Sequence, residues 1–432
     1  MSQSDPQKTN VLSRIRQMLR DVCVWIAAGS VVGVLCGLSS AAFLWLLDIA
    51  THYRGEHIWL VYLLPAAGAA LGLFLSLWGT NVLGGNNLIL DTLHVANSER
   101  LPKRMTPIVL IGSVITHLFG GSAGREGTAV QMGGSLADRF GHLIHAQGRL
   151  RVELISAGIA GGFGAVFGTP FAGAVFAMEV VRIGQVDYHA LVPALVAAIV
   201  GDLTTRGLGI QHTAYPVVNV LSLTPLVLGK LLALSAAVAC ASAGFIELTH
   251  WIKATLKKRV PNLALRMALG GAAVVAMWQL SGADMYLGLG VPTIVDAFRN
   301  PDLPRFAFLL KLIFTAVTLG SGFLGGEVTP LFFIGAALGN SIGQALGLPL
   351  DLAAACGFAA VFGAAANTPL ACAIMAVELF GAAVLPHVAI VCVLAYLMTG
   401  HRGIYPSQRI RVSKQGEKLS SERSLHEFDS LP

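Results

Sequence analysis

Long apolar runs recur about a dozen times along the chain, among them Cys23 to Ala50, Ile58 to Gly79, Ile108 to Phe119, Leu226 to Ile252 and Phe306 to Leu324. Several approach the roughly 20 residues that a helix needs to cross a bilayer. Others are shorter, or are interrupted by Gly and Pro. Such broken segments are tolerated at membrane depth only where their open ends face protein or a water-filled cavity, and an ion pathway supplies such a cavity. The pattern predicts an all-α polytopic membrane protein with discontinuous helices. The first run is too long for a signal-peptide core and lacks a small-residue cleavage site, so it reads as a retained helix.

Composition agrees with the pattern: 55% of residues are hydrophobic and 12% charged, with a mean hydropathy of +0.70, far too apolar for a soluble domain. The net charge of +6 comes from the flanks of the spans. Lys8, Arg14, Arg16 and Arg20 precede the first, and Arg402, Arg409, Arg411, Lys414, Lys418 and Arg423 follow the last. The positive-inside bias therefore places both termini in the cytoplasm of a multi-pass protein of the cell inner (plasma) membrane, with the bilayer as its partner. No folded basic module supports nucleic-acid binding. The six cysteines all lie in apolar stretches without CxxC spacing, which predicts buried packing and no metal site. No P-loop GK[ST], HExxH or EF-hand pattern is present, so transport, if that is the function, runs on ion gradients, and no cofactor is expected.

The chain also repeats itself. GREGT at Gly124 to Thr128 is echoed by GGEVT at Gly325 to Thr329, setting Glu126 against Glu327. Gly162 to Val180 is echoed by Gly357 to Leu379, with Pro170 and Pro369 each nine residues before a glutamate, Glu179 and Glu378. A weaker match sets GGNN at Gly84 to Asn87 against GLGV at Gly288 to Val291. These pairs predict two inverted-topology repeats, about 23–206 and 226–405, within one transport domain at 23–406. A cytoplasmic segment 1–22 precedes it, and a polar, flexible cytoplasmic tail 407–432 follows. Helices beginning at the three glycine-rich breaks would meet at the midplane, where free N–H groups and positive partial charge favour an anion.

The strings are specific enough to carry a resemblance. GGSAGREGT resembles the GSxGREGP run of the CLC family of chloride channels and proton-coupled anion exchangers, and Lys311 to Pro330 resembles its stretch through GSGxxGGxFxP. Two departures resemble the fluoride-exporting branch: Asn86 where the family has a pore serine, and Glu327 within GGEVTP. The resemblance implies a CLC-like fold, a homodimer with one pore per subunit, and fluoride/proton antiport. It implies Glu126 as the movable gate that couples protons to anions and Glu327 as a second proton-coupling carboxylate. The implied anion contacts are Gly85, Asn86, Arg125, Gly127, Val328, Thr329, Phe332, Phe333 and Tyr405. Fluoride is small and strongly hydrated, so its site needs short, well-aimed donors, and aromatic ring edges can add to them. Many chloride/proton exchangers carry an inner glutamate where this chain has Val180, so the usual inner proton route is absent: either protons pass by Glu126 and Glu327 on another path, as the resemblance to the fluoride branch implies, or the protein is uncoupled.

Each residue has a plainer reading. Glu126 could be a structural ion paired with Arg125, Glu327 and Thr329 helix caps, Asn86 a turn residue, Tyr405 an interfacial anchor, and the phenylalanines lipid or core packing. Glu179 and Glu378 read as structural, at helix ends where charges reach the interface, and His117 as a packed histidine. The alternatives in function are a chloride-selective exchanger or channel of the same family and an intramembrane enzyme. Against the latter, no nucleophile and base pair recurs near the breaks.

Overall fold

The computed structural model describes residues 6–95 and 99–428. The first half comprises α1 (Pro6–Glu56), α2 (Leu64–Trp78), α3 (Asn86–His94), α4 (Met105–Leu118), α5 (Glu126–Leu143), α6 (Gly148–Phe167), α7 (Pro170–Glu179) and α8 (Leu191–Gly207). The second comprises α9 (Pro225–Arg259), α10 (Leu263–Ser281), α11 (Val291–Asp296), α12 (Ala307–Gly320), α13 (Val328–Leu346), α14 (Leu350–Ala366), α15 (Pro369–Phe380) and α16 (Leu385–Met398). Six of the described helical segments are long and apolar enough to cross a membrane, and shorter apolar helices fill in between them. Large apolar side chains such as Trp45, Leu77, Leu226 and Leu280 are exposed on the outside, as a lipid-facing surface requires. Cys36, Cys356, Cys372 and Cys392 are buried as expected, but Cys23 and Cys240 lie exposed on this outer face; there a thiol behaves as a small hydrophobe facing lipid.

The halves repeat element by element. In each, the fifth helix packs on the sixth and the first on the eighth, and α2 packs on α10 across the repeat boundary. The α5–α6 crossing brings Gly133 so close to Gly158 that a Cβ would sit 2.1 Å from the Gly158 carbonyl oxygen. Gly335 of α13 stands equally close to the Gly357 carbonyl of α14. Only glycine allows that approach, the small-residue packing common between membrane helices.

The register differs from the sequence match by one residue. The α4 and α12 helices are displaced by 202 (307 minus 105, and 320 minus 118). Gly124 and Gly326 also exchange main-chain hydrogen bonds, Gly124 N to Gly326 O at 2.6 Å and Gly326 N to Gly124 O at 2.9 Å, which places the local two-fold between them. Glu327 is therefore the counterpart of Arg125, and the offset of 201 that sets it against Glu126 is corrected. Likewise the left-handed glycines before α3 and α11 are Gly85 (φ 56°) and Gly290 (φ 73°), one step from the alignment of Gly84 with Gly288. Glycine strings align ambiguously because they carry little side-chain information, whereas hydrogen-bonded pairing is decided residue by residue.

Glu179 and Glu378 are structural for a reason other than reaching the interface. Glu179 accepts from the main-chain N–H groups of Leu370 (3.1 Å) and Ala371 (2.8 Å) at the start of α15. Glu378 returns the contact on α7, accepting from Phe171 (3.0 Å) and Ala172 (2.8 Å). Each carboxylate thus caps the other repeat's helix, behind a proline that needs no partner at the first position. Replacing Glu179 by Gln should lower stability by about 1–3 kcal/mol, and the more exposed Glu378 by less. Melting temperatures in detergent check this.

The tail departs from expectation. Residues after Tyr405 form a hairpin, β1 (Arg409–Val412) and antiparallel β2 (Lys418–Ser424), followed by a short helix α17 (Leu425–Phe428). Ile410 and Leu425 bury against Ile183, and Arg182 Nε donates to Glu422 at 2.7 Å. Alternating apolar residues within a polar segment supply one buried face, enough to dock a short hairpin on the body. Residues 1–5 and 429–432 of the expected termini lie outside the described residues.

Candidate functional site

Three helices begin at the glycine-rich breaks, α3 at Asn86, α5 at Glu126 and α13 at Val328, and their starts converge. Glu126 is wholly buried. Its Oε2 accepts from the Thr329 hydroxyl at 2.6 Å and the Thr329 N–H at 3.1 Å, and from the Arg125 N–H at 3.3 Å. The Arg125 guanidinium lies 3.5 Å from Oε1, yet Oε1 has no hydrogen-bond partner. The carboxylate therefore stands on the donors at the head of α13, as a bound anion would.

Glu327 and Asn86 complete the convergence around Gly127. A Cβ on Gly127 would meet Gly326 Cα at 3.0 Å, Asn86 Nδ2 at 3.2 Å and Glu327 Oε2 at 3.6 Å. A side chain there would crowd the Gly326 main chain and the Asn86 and Glu327 side chains, groups from both repeats. Glu327 Oε2 and Asn86 Oδ1 are both buried without hydrogen-bond partners. Two oxygens without hydrogen-bond partners, Glu327 Oε2 and Asn86 Oδ1, thus lie in one cluster of residues with the Arg125–Glu126 ion pair.

Several plainer readings fall on this geometry. Glu327 precedes α13 without a side-chain capping bond, and the Thr329 hydroxyl goes to Glu126, so neither is an ordinary cap. Asn86 opens α3 directly after Gly85 instead of standing in a loop turn. Tyr405 is buried, which removes the interfacial anchor, and it lies within electrostatic range of both glutamates. Val328 is buried between Glu327 and Thr329. The ion pair of Arg125 with Glu126 is present, alongside the contact to Thr329.

The two phenylalanines separate. Phe332 stacks on Phe358 with centroids 4.1 Å apart and an interplanar angle of 8°, and meets Phe362 edge-on. Phe333 packs on Gly290 before α11. Behind it stands a residue to which the sequence reading gave no role, Lys311. Fully buried, it donates to the main-chain oxygens of Tyr286 (3.1 Å) and Gly288 (2.7 Å) and lies 5.3 Å from the Phe333 ring. A lysine within an apolar run is a signal that could have found it. His117 is buried with both ring nitrogens on carbonyls, of Ser113 (2.7 Å) and Ala123 (3.0 Å), and pins the segment that leads into Arg125. Beside Arg125 opens a cavity of about 600 Å³, also lined by Asp48, Thr51, His212 and Pro292. Among the described residues no group of His, Cys, Asp and Glu is arranged to hold a metal ion.

Fold and site together define a multi-pass membrane protein in which helix starts from two inverted repeats meet at buried carboxylates. The chain belongs to the CLC family: the family model described as voltage gated chloride channel matches residues 83–400. It is 46% identical over 420 residues to a chloride/fluoride channel protein of Pseudomonas syringae pv. tomato, covering 95% of this chain and 92% of the relative. Its structure is similar to that of a CLC-type fluoride/proton antiporter, with a TM-score of 0.87, 36% identity, and coverage of 90% of this chain and 98% of the other. A slow cyanobacterial Cl−/H+ antiporter shares the fold at a TM-score of 0.76 and 18% identity, over 87% and 94% of the two chains.

Proposed function

We propose that this protein exports fluoride by fluoride/proton antiport, with Glu126 as the shared switch. The observation that carries the reading is the seat of Glu126 Oε2 on the Thr329 hydroxyl and N–H. A carboxylate there excludes an anion from the same donors. Protonation removes its charge and weakens those contacts, so the side chain leaves and a fluoride can take the vacated donors. Return of the ionised carboxylate releases the proton and expels the anion, which ties the two fluxes together. Glu327 serves as the second proton-holding group, and Gly85, Asn86, Arg125, Gly127, Val328, Thr329, Phe332, Phe333 and Tyr405 line the path.

Short donors favour fluoride over the larger chloride, because they replace more of its tightly held water. The 36% identical fluoride/proton antiporter supports this reading, as does the amide of Asn86 beside Gly127. The protein acts as a homodimer in the inner (plasma) membrane with both termini in the cytoplasm, a placement supported by the basic flanks of the first and last spans.

Efflux from proteoliposomes tests the substrate. Fluoride should leave far faster than chloride, and equal rates would return the protein to the chloride-selective alternative. In the same assay Asn86→Ser should reduce the fluoride-to-chloride ratio by roughly tenfold, about 1.4 kcal/mol of discrimination. An unchanged ratio would make Asn86 a purely structural start to α3.

A further inference from the structure

The segment from Arg402 to Arg409 stitches both repeats together at the point where Tyr405 sits. Ile404 N donates to Ala365 O at 2.9 Å and Ser407 N to Asn87 Oδ1 at 3.1 Å. Gln408 is the centre of the stitch. It is wholly buried, and its Nε2 donates to Val180 O at 2.9 Å and Ala366 O at 2.8 Å, the carbonyls at the ends of α7 and α14. Its Oε1 accepts from Asn367 Nδ2 at 3.0 Å, and its main-chain N–H closes a turn onto Tyr405 O at 3.0 Å.

We infer that Gln408 is a positioning residue for anion selection: it clamps the ends of α7 and α14 to the chain that carries Tyr405 and so holds that tyrosine in the ion path. The inference rests on the reading, proposed above, that Tyr405 contacts the anion. The chemistry asks for glutamine. Two helix-terminal carbonyls, each without a further helical donor and at the negative end of its helix, point at one nitrogen. A carboxamide NH₂ satisfies both while its oxygen takes the Asn367 donor; a reversed amide would set oxygen against oxygen. Glutamate lacks the donors, and asparagine is one methylene too short. Without the clamp the two carbonyl dipoles are unmasked and the turn under Tyr405 loses its anchor.

The test compares Gln408→Met, which keeps length but has no donors, with Tyr405→Phe and the double variant. Each is read in proteoliposomes as the fluoride-to-chloride efflux ratio and as protons taken up per fluoride. Gln408→Met should lower the ratio on the order of tenfold, and the double variant should be no worse than the stronger single, because residues acting through one another do not add. Effects that multiply, or an unchanged ratio in Gln408→Met beside an altered Tyr405→Phe, would overturn the inference and leave the site reading intact. A silent Tyr405→Phe would overturn both. Should Gln408→Met fail to fold, Asn87→Ala loosens the same segment through Ser407. It should shift the ratio in the same direction and be equally non-additive with Tyr405→Phe; additivity there overturns the inference too.

Discussion

Glu126→Gln is expected to reduce fluoride-driven proton uptake to the background of empty liposomes, a loss of at least about a hundredfold. The amide oxygen of glutamine can still accept from Thr329, so the fold around α5 and α13 should persist. The side chain can no longer exchange a proton between seated and displaced positions, and the link between the fluxes is cut. The amide nitrogen would also face the Arg125 guanidinium, now 3.5 Å from Oε1, with donor against donor. Proton uptake that survived in this variant would move the switch to another group.

Glu327→Gln should separate stability from function. A partnerless buried oxygen such as Glu327 Oε2 is unfavourable by about 1–3 kcal/mol, more if charged, so a neutral amide should leave the melting temperature unchanged or raise it. Proton-coupled transport should nevertheless fall by tenfold or more, because a titratable group beside Gly127 and Asn86 is lost. A variant that was both less stable and fully coupled would return Glu327 to a structural part. The two glutamates are not symmetry mates, since the main-chain pairing of Gly124 with Gly326 sets Glu327 opposite Arg125. Their roles therefore need not match: Glu126 Oε2 stands on the α13 donors, whereas Glu327 Oε2 has no hydrogen-bond partner.

Much of this site is legible in the residues. Glycine-rich breaks between apolar runs mark where helices start at depth, and the charges within them are too unfavourable there to be incidental. Hence Asn86, Glu126, Glu327 and Thr329 stand out as candidates from the residues alone. Long-range partnerships are less legible. That the Thr329 hydroxyl reaches Glu126, that Glu179 and Glu378 cap each other's repeat, and that Gln408 bridges α7 and α14 all depend on contacts between residues far apart in the chain. Local pattern encodes none of them. Register is lost for a related reason, since strings such as GGEV slide by one position at no local penalty. The tail misleads because its polarity suits a solvated segment, while a few apolar residues, Ile410 and Leu425 with Leu419 beside them, make the face that docks it.

Coupling through Glu126 is tested most directly by imposing an outward fluoride gradient on proteoliposomes held at equal internal and external pH, with external pH recorded and the membrane voltage clamped. Exchange through a shared site predicts fluoride leaving and protons entering against no pH gradient, in fixed proportion and abolished together with the Glu126 carboxyl. Fluoride efflux with no accompanying proton uptake in the intact protein would contradict it.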